Sequence, residues 1–108
     1  MNVTSRNIFG LYERDVQTLG DIFNKYPEVI CVYIIGSRAK GNFKPGSDID
    51  LVIMNEGATD SVIQKIKTDI EESTLPYFVD LINYPALQHA DLKDHIDRVG
   101  QLFYQRQP

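Results

Sequence analysis

The chain has 108 residues, which is the size of one domain with a single hydrophobic core. Its net charge of −4 argues against direct binding of nucleic acid, because such binding needs a basic surface. The single cysteine excludes an internal disulfide, and the polar start of the chain lacks the apolar core of a signal peptide. These features predict one cytoplasmic domain over residues 1–108.

The first third of the chain predicts an arm, a helix and a strand. Residues 1–10 have no periodic pattern and are expected to form a flexible arm. Residues 13–26 predict an amphipathic helix, which Pro27 ends, because their apolar side chains recur at helical spacing: Val16, Leu19, Phe23 and Tyr26. Residues 29–35 are continuously apolar and rich in β-branched side chains, which is typical of a strand buried on both faces. This run is too short to span a membrane.

The middle of the chain alternates between loop, strand and helix. Residues 36–47 contain three glycines and predict a loop with room for a short helical turn. Residues 48–54 predict a second strand. A helix is expected from a cap at Thr59 or Asp60 to about residue 73, and a third strand is expected over residues 77–83.

The last part of the chain predicts a helical region from Pro85 to a cap at Gly100, followed by a short edge strand over residues 102–104. The alternation of helices and strands indicates an α/β fold. The helix between the second and third strands predicts a right-handed crossover between parallel neighbours, whereas the loop between the first two strands suits antiparallel neighbours. We therefore expect a small mixed sheet with helices packed mainly on one face.

Two carboxylates stand at the start of the second strand. Asp48 and Asp50 are two residues apart, so they share one face of the strand with Cα atoms about 6.6 Å apart. Like charges at this distance repel unless a cation compensates them, and Mg²⁺ prefers carboxylate and phosphate oxygens. On its own, Asp-x-Asp is more often a solvated strand start than a metal site.

A third carboxylate changes the balance. Asp80 lies within YFVDLIN, where an acidic side chain costs free energy unless it is paired or bound to a metal. If the second and third strands are parallel neighbours, Asp80 lies beside Asp48 and Asp50, as a two-metal site for nucleotidyl transfer requires. The alternative is an Asp that faces solvent on an edge strand.

The loop after the first strand has the composition of a phosphate-binding turn. Gly36 allows a close approach of the backbone to a ligand, and Ser37 follows it with a hydroxyl. Arg38 and Lys40 add positive charge to an acidic chain, although a turn with solvated basic residues is an equal alternative.

Three other motifs fail on the sequence. The glycine spacing of a P-loop is present, but Asn42 and Phe43 stand where Lys and Ser or Thr are required. An EF-hand fails because Val52 and Ile53 occupy positions that need an oxygen ligand and a glycine. The Asp-x-Asp of haloacid-dehalogenase-type phosphatases follows an apolar strand, whereas here the apolar run comes after the aspartates.

The combination of GSRAKG at residues 36–41, SDIDL at residues 47–51 and VDL at residues 79–81 resembles the signature of the DNA polymerase β-like nucleotidyltransferase superfamily. Within this superfamily, the chain resembles the minimal nucleotidyltransferases, or MntA-type antitoxins, in its small size and in its GSRAKG motif. The resemblance implies the palm-like nucleotidyltransferase fold, two Mg²⁺ ions and ATP as the substrate.

The resemblance also implies roles for individual residues. The metal ligands would be Asp48, Asp50 and Asp80, and Asp80 would also act as the general base toward the acceptor hydroxyl. Gly36 and Ser37 would hold the triphosphate, and the nucleotide site would extend to three neighbouring polar residues: Arg38, Lys40 and Ser47.

Minimal nucleotidyltransferases are encoded beside a HEPN-domain toxin, and the resemblance implies transfer of AMP to a tyrosine of that toxin. The chain has no residues left for the acceptor-binding domain of larger relatives, so we expect a second polypeptide to supply the acceptor, in a homo- or hetero-oligomer. Two alternatives remain. One is a binding antitoxin that occludes its partner without catalysis, and the other is a nucleotidyltransferase that acts on a small molecule such as an antibiotic.

Overall fold

The structure is a computed structural model that describes residues 6–107. Four α-helices, four β-strands and one 3₁₀ turn are formed in this part of the chain. In chain order they are α1 Glu13–Asn24, β1 Cys31–Ile35, α2 Gly36–Lys40, β2 Ile49–Ile53, α3 Asp60–Glu71, β3 Val79–Asn83, the 3₁₀ turn Tyr84–Ala86, α4 Ala90–Val99 and β4 Gln101–Gln105. No helix in the described residues is long and apolar enough to cross a bilayer.

The strands form one mixed sheet in the order β3-β2-β1-β4. Strand β1 runs antiparallel to both of its neighbours, and β2 and β3 are parallel and joined through α3. The prediction of a small mixed sheet is confirmed, including the antiparallel pairing across the 36–47 loop and the edge strand near the end of the chain.

The two faces of the sheet are covered differently. One face packs against α1 and α3 in the main core, to which β2 contributes Ile49, Leu51 and Ile53. The other face carries a smaller cluster in which Ile35 and Val52 contact Ile96 of α4. The two longest helices therefore share one face, as expected, while α4 packs on the opposite one.

Helix α3 begins as the sequence predicts and is tied to α1. The side-chain hydroxyl of Thr59 accepts a hydrogen bond from the backbone N–H of Val62 at 3.2 Å, which caps the helix. Near the other end of α3, Asp69 accepts a 2.5 Å hydrogen bond from the Tyr26 hydroxyl and pairs with Lys25 at 2.8 Å. These contacts join the C-terminal end of α1 to α3 on the sheet face that the two helices cover.

The expectation of a flexible arm over residues 1–10 is wrong for its described part, and residues 1–5 lie outside the described range. Phe9 and Leu11 are buried in the main core. The side-chain oxygen of Asn7 accepts hydrogen bonds from the backbone N–H groups of both residues, at 2.9 and 3.0 Å. Two apolar side chains separated by one residue do not show helical or long strand periodicity, so the sequence pattern missed their burial.

Candidate active site

Two of the three predicted carboxylates lie side by side on adjacent strands. In the parallel pairing of β2 with β3, Asp50 is the register partner of Asp80. Register partners project to the same face of a sheet. The neighbours of Asp80 in the sequence, Val79 and Leu81, pack into the main core, so Asp80 projects to the opposite face, on which α4 packs.

Asp48 lies just before β2 and is exposed, whereas Asp50 is partly buried. Because Asp48 is two residues from Asp50, the alternation of the strand directs both side chains to the same side. The electrostatic influence of Asp48 on Asp50 agrees with this placement. The structure therefore pairs Asp50 with Asp80 across adjacent strands, with Asp48 just before β2 and near enough to influence Asp50.

Burial and like charge raise the pKa of Asp50 above its ordinary value. Burial is the largest cause, and the negative charges of Asp80 and Asp48 add to it. Among the described residues, no Lys or Arg forms a salt bridge with any of the three carboxylates. Within residues 6–107, the negative charge of these carboxylates is therefore not balanced by a salt bridge to a basic side chain.

The turn after β1 is directly adjacent to Asp50. Ile35, the last residue of β1, is the register partner of Asp50. Gly36 follows with a φ of +75°, and a Cβ atom at this position would collide with the Asp50 carboxylate. Glycine is therefore required here both for its backbone angle and for the space that it leaves to the acid. Ser37 lies next to it, half-buried in the first turn of α2.

Arg38 is not placed to bind a nucleotide, and this corrects the sequence-based assignment. The residue is only 1% exposed. Its guanidinium donates to the carbonyl oxygens of Phe9 at 2.8 Å and Ser47 at 2.9 and 3.1 Å, with longer contacts to Gly10 and Pro45. Its role is to hold the backbone that leads into Asp48.

Two aromatic rings complete the environment of Arg38, and the sequence analysis did not identify them. The guanidinium carbon lies 5.2 Å from the ring centre of Phe43 and 4.9 Å from that of Tyr77. Burial lowers the pKa of Arg38, but the side chain stays charged because arginine begins from so high a value. No local motif signals these contacts, since the two rings lie on different segments of the chain.

The two other residues predicted to bind the nucleotide differ in their surroundings: Lys40 is exposed, and Ser47 is hydrogen-bonded within its own loop. Lys40 is exposed at the end of α2. The Ser47 hydroxyl accepts a 2.9 Å hydrogen bond from the backbone N–H of Lys44, so it is already used to shape the loop. Of the five residues assigned to the nucleotide, Gly36 and Ser37 are the pair that lies beside the carboxylates.

The donor set fits divalent magnesium in its chemistry. Carboxylate oxygens are the protein ligands that Mg²⁺ prefers, and it usually takes one or two of them together with substrate phosphates. Within residues 6–107, no group of three or more His, Cys, Asp or Glu side chains is arranged so that it could hold a metal ion by itself.

Comparison with known proteins points to one family. Residues 17–108 match the family model described as "Polymerase beta, Nucleotidyltransferase". A curated relative from Haemophilus influenzae, "Probable protein adenylyltransferase MntA", is 38% identical over 69 residues. That alignment covers 63% of this chain and 60% of the relative, so the chain matches less than two thirds of the relative's length.

Solved structures share the fold. A chain of a crystal structure described as "the toxin-antitoxin with AMP-PNP" superposes with a TM-score of 0.67 and 20% identity, over 90% of this chain and 76% of that one. A chain of the complex between a tri-AMPylated Shewanella oneidensis HEPN toxin and an MNT antitoxin gives a TM-score of 0.58 and 15% identity, over 87% and 72%. At these identities the similarity establishes the architecture alone.

Proposed function

Because this chain belongs to the polymerase β nucleotidyltransferase family, we propose that it is a Mg²⁺-dependent protein adenylyltransferase. In this proposal it transfers AMP from ATP to a tyrosine hydroxyl of a HEPN-domain toxin and acts as the toxin's antitoxin. The observation that carries the proposal is the pairing of Asp50 with Asp80 beside the Gly36 turn.

The chain's residues would divide the reaction among them. Gly36 and Ser37 would hold the triphosphate, and the residues that would hold the two Mg²⁺ ions are Asp48, Asp50 and Asp80. When bound, the ions neutralise the charge that develops on the phosphate oxygens. Asp80 accepts the acceptor's proton as the hydroxyl oxygen forms a bond to the α-phosphorus. The bond from that phosphorus to the bridging oxygen breaks, and pyrophosphate leaves.

The proposed partner follows from the similar proteins. The curated relative is described as a probable protein adenylyltransferase, and the matched structures include complexes with HEPN toxins. An ATP-dependent reaction on a toxin made by the same cell requires the cytoplasm. In this proposal the toxin, a second polypeptide, presents the acceptor hydroxyl.

The proposal is tested by incubating the purified chain with the HEPN-domain protein encoded beside it, Mg²⁺ and ATP labelled at the α-phosphate. We expect label on the partner with the wild-type chain and none with Asp48→Asn. The control Asp21→Asn makes the same chemical change at an exposed position of α1 and should label normally. If the wild-type chain and Asp48→Asn are equally inactive, the proposed activity is wrong.

A cell assay separates catalysis from occlusion. The double variant Asp48→Ala, Asp50→Ala should fail to protect cells that express the toxin, because it cannot hold the metal ions. Full protection by the double variant would instead identify a binding antitoxin that silences its partner by covering it. Efficient transfer by the chain alone to a small hydroxylated antibiotic would indicate the third alternative.

A further inference from the structure

A large aromatic side chain close to the proposed general base is exposed to solvent. Phe78 is 74% exposed, the second highest value among the large exposed hydrophobic residues. It precedes Asp80 by two residues, and the intervening Val79 packs against the main core, as does Tyr77. Phe78 therefore projects to the same side of the sheet as Asp80, with Cα atoms about 6.6 Å apart in extended chain.

Within the described residues, no strand pairs with the outer edge of β3, the strand that carries Asp80. Strand β3 is at the end of the sheet, and the backbone carbonyl of Phe78 accepts a 2.9 Å hydrogen bond from the N–H of Ile49 in β2. In a strand, successive backbone groups point to opposite edges. The N–H and C=O groups of Val79 and Leu81 consequently face away from β2 and form a template for another strand.

A cavity of about 240 Å³ extends along this edge, between β3 and the second half of α3. Leu75 and Phe78 contribute apolar surface to it, and Asp80 lines it as well. Its charged lining residues are Lys67, Glu71 and Asp80. Within residues 6–107 the surface thus combines an apolar platform with backbone groups that no strand pairs, and it is continuous with Asp80.

If the proposed function is correct, the strand order determines the side from which the acceptor approaches the nucleotide. The Gly36 turn ends β1, Asp50 lies in β2 and Asp80 lies in β3, so the phosphate-binding turn and the free edge are on opposite sides of Asp50. In an in-line displacement the entering oxygen is opposite the leaving one. Pyrophosphate held by the turn therefore requires the acceptor to approach from the β3 edge.

We propose that an extended segment of the partner protein presents the acceptor by pairing with the free edge of β3 and packing against Phe78. Side chains alternate along a strand, so the residue that contacts Phe78 is two positions from the hydroxyl residue that faces Asp80. The residue on Phe78 is apolar, because it covers an exposed aromatic side chain. Phe78 is thus a residue that determines acceptor specificity.

The test substitutes Phe78 and compares acceptor and nucleotide separately. We expect Phe78→Ser to raise the KM for the HEPN-domain partner about tenfold or more, as truncation of an aromatic contact at an interface commonly does. The affinity for AMP-PNP and Mg²⁺, measured by calorimetry on the chain alone, should not change. The control Leu102→Ser removes another exposed apolar side chain, at 54% exposure on the opposite edge strand, and should behave as wild type.

Each result decides the proposal. A Phe78→Ser variant with an unchanged KM, or with equal losses in acceptor and nucleotide binding, contradicts it. If the wild-type chain binds the partner but transfers no AMP, the proposed function fails. Weaker binding of the partner by Phe78→Ser than by Leu102→Ser, measured without nucleotide, would then still establish the docking edge. Equal binding by the two variants would reject it.

Discussion

The two faces of strand β2 have opposite properties. Ile49, Leu51 and Ile53 are completely buried beneath α1 and α3, whereas Asp50 projects to the other face and keeps partial access to solvent. Helix α4 covers the second face near Val52 through the small cluster around Ile96. A strand of five residues therefore contributes to the core with one set of side chains and to the candidate site with the other.

The difference separates stability from chemistry within a single element. The core face gains free energy by removing apolar surface from water. The acidic face costs free energy, because Asp50 is partly buried and the neighbouring carboxylates repel it, with no salt bridge to a basic side chain within residues 6–107. Substitutions on the first face should change the stability of the fold, and substitutions on the second should change the reaction while relieving the fold.

The largest expected effect on stability is on the core face. Replacing Leu51 by Ala removes a completely buried side chain and leaves a cavity between the sheet and its helices. We expect a loss of about 2–5 kcal/mol in the free energy of unfolding, measured by urea denaturation. Transfer per folded molecule should persist at low temperature. Loss of transfer in a chain that is still folded would show that the two faces are coupled.

Arg38 contributes to both the stability of the fold and the position of the candidate site, because it is buried and it holds the backbone before Asp48. We expect Arg38→Met to lower the free energy of unfolding by about 3 kcal/mol, because it leaves several carbonyl oxygens without a hydrogen-bond donor. Arg38→Lys keeps the charge but cannot reproduce the forked contacts, so it should recover only part of the loss.

The control for Arg38 is Arg98→Met. Arg98 forms an exposed salt bridge with Asp94 at 2.9 Å, which contributes less than about 1 kcal/mol. Thermal denaturation of the Arg38 and Arg98 variants should therefore differ clearly. Similar melting temperatures for Arg38→Met and Arg98→Met would contradict the structural role of Arg38.

Gly36 and Gly20 give a matched pair of glycine substitutions. Gly36→Ala must adopt a left-handed backbone, at a cost of about 1–2 kcal/mol, and its methyl group displaces the Asp50 carboxylate. Gly20 lies within α1 with no atom near an added Cβ, so Gly20→Ala should stabilise the protein by about 0.5–1 kcal/mol. Transfer should fall only in Gly36→Ala. Normal transfer by this variant would show that the turn does not position Asp50.

The sequence predicted the placement of the acidic side chains better than the contacts that hold the loop before them. The spacing of Asp48 and Asp50 fixes their common face, and the apolar surroundings of Asp80 indicate a neighbouring strand, so both follow from local pattern. The role of Arg38 does not, because its partners at Phe9, Ser47 and Tyr77 come from three distant segments. Contacts of this kind depend on tertiary packing, which periodicity does not describe.

The smallest expected effect is the pH dependence of stability. It is predicted for two carboxylates whose pKa values shift in opposite directions. The pKa of Asp50 is raised, chiefly by burial and also by Asp80 and Asp48. The pKa of Asp69 is lowered by its hydrogen bonds with Lys25 and Tyr26. The folded state thus favours the protonated form of Asp50 and the ionised form of Asp69.

The signs follow from linkage between protonation and folding. As the pH rises from the ordinary Asp value of 3.8 through the higher folded pKa of Asp50, ionisation of Asp50 destabilises the protein. At pH 7 and without Mg²⁺, Asp50→Asn should therefore melt above wild type, and the difference should vanish below pH 3.8. Asp69→Asn should melt below wild type at pH 7. The ionised Asp69 carboxylate stabilises the fold, and the wild type loses this stabilisation only as the pH falls through the depressed pKa.

Mg²⁺ with AMP-PNP should stabilise the wild-type chain and not Asp50→Asn, because only the wild type keeps the carboxylate whose repulsion the ions relieve. A lower melting temperature for Asp50→Asn at pH 7 would mean that this acid stabilises the fold, and the contrast between the two faces would fail at its central residue.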